Sequence, residues 1–290
     1  MTTFTGMEDL EHLTQRSNKN DVGPFRTYVR PVLAEFIGTT LFVFIGVLSV
    51  QSGNLASIGL AHGLTIALLI MGLGKISGGH FNPAVSLGVC LSGGITVVLT
   101  VAYIVAQILG GLLGAAFVRA ILKDSVYNAI AGGAHIPSID AGWAVFGEII
   151  LTTILVLSVL MNAVNDETKN ELAPLAIGFA VAVDIMAAGS TTGASMNPAR
   201  SFGPAVAGSV VIPQDPWSYH YVYWVGPAGG AVLAALLYRF VLSSNAQNPS
   251  VFSISCKPIR PYDEQGLEST KTHTVPADKQ PSLKMTEQFN

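Results

Sequence analysis

The chain has 290 residues, of which half are hydrophobic and only 11% are charged, with a formal net charge of −3. Soluble domains carry about 25% charged residues, so this composition excludes an ordinary soluble domain. The slightly acidic balance also excludes the basic surface that recognition of nucleic acid requires. The charged residues lie mainly before Arg30 and after Leu242, which indicates a lipid-embedded central region between two water-exposed ends.

Six long apolar segments follow one another along the central region, and each is long enough to cross a hydrocarbon core of about 30 Å as a helix. The polar stretch 1–30 precedes them and is predicted to be an N-terminal tail. The stretch 244–290 is rich in Ser, Thr, Pro, Lys and Glu and is predicted to be disordered. We therefore expect an all-α membrane protein. The predicted transmembrane helices are 32–52, 58–75, 95–121, 142–163, 172–189 and 218–242.

Two shorter apolar segments, 82–91 and 197–207, lie between these helices, and both begin with Asn-Pro-Ala. Neither is long enough to cross a membrane. Asparagine is a strong helix N-cap, and proline is favoured in the first turn of a helix, where its missing N–H costs nothing. Each motif therefore predicts a half-helix that begins inside the membrane. Two half-helices whose N-termini meet indicate a pore.

The two halves of the chain carry the same landmarks in the same order. The stretch around Glu35 is echoed by the stretch around Glu148, and each half places its Asn-Pro-Ala motif after its second long helix. With three transmembrane helices per half, the second half must enter the membrane from the opposite side, which makes an inverted repeat. We assign 31–128 to the first repeat, 129–141 to an outer connecting loop and 142–243 to the second repeat.

The orientation follows from Lys and Arg residues in the loops and tails, because cytoplasmic loops carry an excess of them. An even number of helices places both tails on one side, whereas Arg119 and Lys123 lie on the other. Both termini are therefore predicted to be cytoplasmic. The default location is the plasma membrane, with a vacuolar or mitochondrial membrane as the alternatives. The basic residues on the side of the tails are Arg16, Lys19, Arg26, Arg30, Lys75, Lys169, Arg239, Lys257 and Arg260.

Around the two motifs, at 76–86 and 196–206, the sequence resembles the aquaporin, or major intrinsic protein, family, and the likeness extends over about 30–238. The resemblance implies six transmembrane helices plus two re-entrant half-helices, a pore in each subunit, and assembly as a homotetramer in the lipid bilayer. It also implies a passive channel for water and small neutral solutes, with no catalytic residues and no cofactor.

The chemistry of the two motifs explains how such a pore excludes charge. A helix N-terminus carries roughly half a positive charge, so two N-termini that face each other create a potential that opposes cations. Asn82 and Asn197 can each donate a side-chain N–H to a passing water molecule and so interrupt a proton relay. In each motif the proline fixes the helix start, and the small alanine allows the two ends to approach. The predicted midplane residues are Asn82, Pro83, Ala84, Asn197, Pro198 and Ala199.

An arginine, Arg200, follows the second motif, and an arginine in a membrane segment is costly unless it lines a water-filled cavity. In the family a narrow selectivity filter lies at this level. The resemblance places that filter at His62, Ile185, Arg200, and Gly193 or Ala194. This set is wider and less polar on one wall than the Phe, His, Cys and Arg of water-only filters. It is similar to the filters of the aquaporin-8 type and of plant tonoplast intrinsic proteins, which implies passage of water, ammonia and hydrogen peroxide.

Glu35 and Glu148 occupy equivalent places in the two repeats. Buried carboxylates in membrane proteins often mark proton relays. The resemblance instead implies that they accept hydrogen bonds from the loops that lead into the half-helices, where backbone groups would otherwise lack partners. We predict this bracing role for both. The stretch from Lys123 to Ala141, which contains Tyr127 and His135, must cross the outer face, and in ammonia-conducting relatives such a loop can approach the filter.

Two other functions stay open. A glycerol facilitator of the same family is the nearest alternative, although Ser201 follows Arg200 where an aspartate is typical of the glycerol branch. A membrane adhesion protein with little conduction is the alternative from a different class. The central region offers no nucleophile paired with a base and no cluster of His, Cys or carboxylate residues with metal-ligand spacing, so we expect neither an enzyme nor a metal site.

Overall fold

The computed structural model describes residues 23–243, and these residues form helices without any β-strand. The predictions for the tail before residue 23 and for 244–290 lie outside the described residues. Single π-helical turns adjoin three of the helices, at Phe25–Val29, Leu160–Val164 and Tyr238–Leu242. In chain order the helices are α1 (Arg30–Ser49), α2 (Leu55–Ser77), α3 (Pro83–Leu91), α4 (Val97–Ile121), α5 (Asp124–Ala129), α6 (Ala141–Val159), α7 (Ala173–Ala188), α8 (Pro198–Gly208) and α9 (Val222–Leu237).

Five helices are long and apolar enough to cross a membrane when their adjoining π-helical or 3-10 turns are counted: α1, α2, α4, α6 and α9. The remaining predicted transmembrane helix, α7, is apolar but has 16 residues. At 1.5 Å per residue it covers about 24 Å, less than a hydrocarbon core of about 30 Å. Helix α9 begins at Val222 rather than at 218, because hydrogen-bonded turns occupy Trp217 to Tyr221.

The contacts between helices repeat across the two halves of the chain. Helix α1 packs against α4 as α6 packs against α9, and α1 contacts α2 as α6 contacts α7. Helix α8 packs against α4, and α3 packs in the same way against α9. The halves also meet where α2 packs against α7. This pairing of α1–α4 with α6–α9 is the arrangement expected of the predicted inverted repeat.

Glu35 of α1 supports the loop that leads into the first half-helix, α3. The side chain is fully buried at 0% exposure. Its carboxylate accepts hydrogen bonds from Ser77 Oγ at 2.6 Å, His80 N at 2.9 Å, Phe81 N at 2.6 Å and Gln107 Nε2 at 2.8 Å. Phe81 has a φ of 47°, a left-handed conformation that a bulky residue adopts only when its surroundings hold it there.

Glu148 of α6 occupies the equivalent place before the second half-helix, α8, and is also fully buried. It accepts hydrogen bonds from Thr192 Oγ1 at 2.7 Å, Ser195 N at 2.9 Å and Met196 N at 2.8 Å. Met196 has a φ of 53° and so repeats the left-handed conformation at the same distance before its asparagine. The contacts of both glutamates are those that a bracing role requires.

Glycines bring the half-helices and the long helices into backbone contact. A Cβ atom at Gly203 of α8 would lie 2.2 Å from the carbonyl oxygen of Gly111 in α4, and one at Gly111 would lie 2.4 Å from the oxygen of Ala199. Small residues allow membrane helices this close approach. The position of α8, and with it the second motif, therefore depends on these two glycines.

We expect Gly203→Ala to lower the melting temperature of the protein in detergent, because the added methyl group would overlap the Gly111 carbonyl and overpacking costs about 1–3 kcal/mol. The matched control is Gly72→Ala in α2, where a Cβ atom would meet nothing within 4 Å. Equal melting temperatures for the two variants would contradict the close crossing of α4 and α8.

Glu148→Gln should also destabilise the protein, since an amide N–H₂ would replace one acceptor oxygen and leave a buried N–H without a partner, at a cost of about 1–3 kcal/mol. Glu171→Gln serves as the control because Glu171 is exposed in the loop before α7. The measurement is again the melting temperature in detergent. If Glu148→Gln and Glu171→Gln had the same melting temperature, Glu148 would have no bracing role.

Candidate functional site

The asparagines of the two motifs reach across to the opposite repeat. Asn82 Nδ2 donates to the carbonyl oxygen of Met196 at 2.9 Å, and Asn197 Nδ2 donates to that of Phe81 at 3.0 Å. The acceptors are the two left-handed residues that precede the motifs. Each amide nitrogen carries a second N–H, and both asparagines line the same cavity. The second N–H of each is therefore the group available to a molecule in that cavity.

The same asparagines cap the half-helices with their side-chain oxygens. Asn82 Oδ1 accepts from Ala84 N at 2.8 Å, and Asn197 Oδ1 accepts from Ala199 N at 3.0 Å and Arg200 N at 3.2 Å. Because the oxygen faces the helix, the nitrogen must face the cavity and the opposite repeat. All six predicted midplane residues are buried: Asn82, Pro83, Ala84, Asn197, Pro198 and Ala199.

One cavity connects the motifs with the positions predicted for the filter. Apart from the filter residues, much of the cavity wall is aliphatic and is formed by α2, α3, α6 and α7. The predicted filter residues on the cavity wall are His62, Ile185, Gly193, Ala194 and Arg200. The aliphatic residues are Ile66, Ile70, Val85, Leu155, Val159, Ile177 and Val181.

Arg200 lies one turn into α8 and is 4% exposed. Its Nε donates to His62 Nε2 at 3.3 Å, and one terminal nitrogen, Nη1, donates to the carbonyl oxygen of Gly133 at 2.7 Å. Neither of the two ion pairs within residues 23–243 includes Arg200. Its charge therefore borders the cavity without a neutralising carboxylate partner.

His62 of α2 is fixed through both ring nitrogens. Its Nδ1 lies 2.9 Å from the carbonyl oxygen of Ile58, and its Nε2 accepts from Arg200. A nitrogen that accepts a hydrogen bond cannot carry the proton of a neutral imidazole, so Nδ1 is the protonated nitrogen. A Cβ atom at Gly46 would lie 2.4 Å from His62 Nε2, and the absence of a side chain there makes room for the ring.

His135, from the loop between α5 and α6, also lines the cavity. It covers Gly193, where a Cβ atom would lie 2.6 Å from His135 Cδ2. Gly193 and Ala194 both line the cavity, and His135 packs directly against Gly193. Burial lowers the pKa of His135 well below its ordinary value, and the positive charge of Arg200 acts in the same direction. The ring is neutral at pH 7.

A chain of hydrogen bonds assigns the tautomer of His135. Ser195 Oγ donates to the carbonyl oxygen of Asn197 at 3.1 Å, so it must accept from Ser201 Oγ, which lies within hydrogen-bonding distance. Ser201 Oγ in turn must accept from His135 Nδ1, 2.7 Å away. The protonated nitrogen is thus Nδ1, and Nε2 is left as an acceptor on a ring that borders the cavity.

The sequence alone did not indicate two of these contributions. Gly133 supplies a carbonyl oxygen to Arg200. The Gly-Gly pair in the outer loop was the only sequence feature that hinted at this contact. His135 was placed in that loop, but its position over Gly193 depends on contacts with α8 that no local pattern encodes.

Comparison with known proteins agrees with the fold. The family model "Major intrinsic protein" matches residues 25–238. Aquaporin-8 of Mus musculus is 44% identical over 225 residues, which cover 75% of this chain and 84% of the relative. Aquaporin-1 of Sus scrofa is 39% identical over 240 residues, or 77% of this chain and 86% of the relative.

A solved structure, that of the aquaglyceroporin from Plasmodium falciparum, superposes with a TM-score of 0.63 at 27% identity, and the match covers 73% of this chain and 95% of that one. The family match extends over most of the chain and includes both motifs. The resemblance inferred from the motifs is thereby confirmed: this chain is a multi-pass membrane protein and belongs to the major intrinsic protein family, the aquaporins, which are channels for water and small solutes rather than enzymes.

Proposed function

We propose that the chain is a passive channel for water and ammonia, and also for hydrogen peroxide, that excludes protons and ions. The observation that carries this proposal is the composition of the cavity wall beside Arg200. The same cavity that Arg200 lines is also lined by Ile185, an aliphatic residue, and Ala194, a small one. An apolar wall can replace few of the hydrogen bonds that a solute makes to water. A passage with one such wall therefore favours small neutral molecules that need few hydrogen bonds.

Exclusion of protons is supported by the midplane geometry. A proton moves along a file of water only if each molecule donates to the next. Asn82 and Asn197 line the cavity, and each amide has a second N–H available to donate there. A water molecule that accepts from both must turn its own protons away from both asparagines. The partial positive charges of the two half-helix N-termini act in the same sense.

Passage of ammonia is supported by the polar groups at the filter. Ammonia can donate and accept, and the filter offers both kinds of partner: N–H donors of Arg200 and the acceptor Nε2 of His135. The charge of Arg200 opposes ammonium. Hydrogen peroxide, which also donates and accepts and is only slightly wider than water, meets the same partners.

Glycerol is the second candidate, since the solved relative from Plasmodium falciparum is an aquaglyceroporin. Two observations favour the smaller solutes. Residue 201 is a serine, whereas an aspartate is typical of the glycerol branch. Ser201 is hydrogen-bonded to His135 and Ser195. The rings of His62 and His135 also border the cavity, where a three-carbon chain would have to pass.

We also propose a homotetramer in the plasma membrane, with both termini in the cytoplasm. Support comes from the apolar faces that the single chain exposes. Four residues spaced at one helical turn form such a stripe on α1, and each is at least 37% exposed. These residues are Leu33, Ile37, Leu41 and Ile45. Such a face fits lipid or a neighbouring subunit. Adhesion without conduction is the alternative function if no flux is found.

The test is stopped-flow measurement of water, ammonia and glycerol flux in proteoliposomes of the wild type and of His62→Phe with Ile185→His. We expect the wild type to conduct water and ammonia. The double variant, with a narrower and more polar filter, should lose about tenfold or more in ammonia permeability, equivalent to about 1.4 kcal/mol of barrier, while water flux persists.

Water flux of the same vesicles is the internal control for the amount of active channel. Absence of ammonia flux in both proteins would make this a water-selective channel despite its filter. Glycerol flux that exceeds ammonia flux in the wild type would favour the glycerol facilitator, and absence of any flux would favour adhesion.

A further inference from the structure

The carbonyl group that orients Arg200 belongs to an unusual turn. Ala131, Gly132 and Gly133 have consecutive φ angles of 47°, 59° and 73°. An alanine adopts the left-handed region at a cost, and such conformations persist only where the surrounding structure holds them. The Gly133 oxygen that ends this turn accepts from Arg200 at 2.7 Å. What holds the turn therefore also holds the guanidinium.

The turn is held between an aromatic ring and helix α1. Tyr127, on the short helix α5, is 1% exposed. A Cβ atom at Gly132 would lie 2.8 Å from both Cζ and the hydroxyl oxygen of Tyr127, so the hydroxyl end of the ring packs against the glycine. On the other side, a Cβ atom at Gly133 would lie 2.5 Å from Val47 Cγ1. Neither glycine can move without displacing one of these neighbours.

The ring itself is anchored to the end of α4. The guanidinium carbon of Arg119 lies 5.1 Å from the centroid of Tyr127, a cation–π distance. Arg119 also forms an ion pair of 2.8 Å with Asp124, in the first turn of α5. Arg119 thus connects α4 to two residues of the short helix, Asp124 at its start and Tyr127 one turn on.

We propose that Tyr127 is a positioning residue of the filter: its ring holds the Gly132–Gly133 turn, and the turn presents the carbonyl that orients Arg200. The hydroxyl of Tyr127 has no hydrogen-bond partner among residues 23–243, so Tyr127 acts through packing contacts rather than through a hydrogen bond. This inference rests on the proposed function to the extent that Arg200 limits which solutes pass.

The experiment compares the glycerol-to-water permeability ratio in proteoliposomes of the wild type, Tyr127→Leu and Tyr127→Phe. In Tyr127→Leu the turn can recede and take the guanidinium with it, so the ratio should rise about threefold or more, the order expected when a typical hydrogen bond is weakened. Tyr127→Phe keeps the ring and should match the wild type. The matched control is Tyr219→Leu, because Tyr219 is 50% exposed in the segment between α8 and α9.

The ratio separates positioning from a merely structural role, since a lower yield of active channel reduces both fluxes and leaves the ratio unchanged. If Tyr127→Leu does not fold, Gly132→Ala disturbs the same contact from the other side and should raise the ratio likewise. An unchanged or lower ratio in the folded variant, or a rise in Tyr127→Phe equal to that in Tyr127→Leu, would overturn the proposal. Failure of the proposed function is a separate result, seen as missing ammonia flux in the wild type.

Discussion

A helix that begins in the middle of a membrane needs partners for the backbone that leads to it, and the rest of this structure depends on how that need is met. Water and lipid cannot supply them there. Glu35 and Glu148 do so from the adjacent long helices, and each accepts the N–H of a left-handed residue, Phe81 or Met196. Those residues then turn their carbonyl oxygens toward the asparagine of the opposite repeat. Two buried carboxylates thus fix the place where the half-helices meet.

The electrostatics of the cavity follow from this arrangement. Both half-helices direct their N-termini inward, and Arg200 adds a full charge one turn away, while no Asp or Glu from the described part of the chain lines the cavity. No carboxylate on the cavity wall therefore compensates the positive potential. The charge is kept in place by two neutral groups, the His62 imidazole and the Gly133 carbonyl. Neutral partners orient the guanidinium without reducing its effect on cations.

The sequence predicted the fold closely because its signals are local or repeated. Apolar length marked the long helices, and Asn-Pro marked the half-helices within a residue of their observed starts. The residues predicted for the filter came from family resemblance, and all of them line the cavity. The contributions of Gly133 and His135 escaped prediction, since they join the outer loop to residues more than 60 positions away. Loops lack the periodicity from which such contacts could be inferred.

We propose above all that neutral molecules pass between the two half-helices and that protons do not. The most direct test measures osmotic water permeability and proton conductance in the same proteoliposomes, loaded with a pH-sensitive dye and polarised by a potassium gradient with valinomycin. We expect water permeability to increase with protein content while proton conductance stays at the level of protein-free vesicles. A proton conductance that increases in parallel with water permeability would contradict the claim.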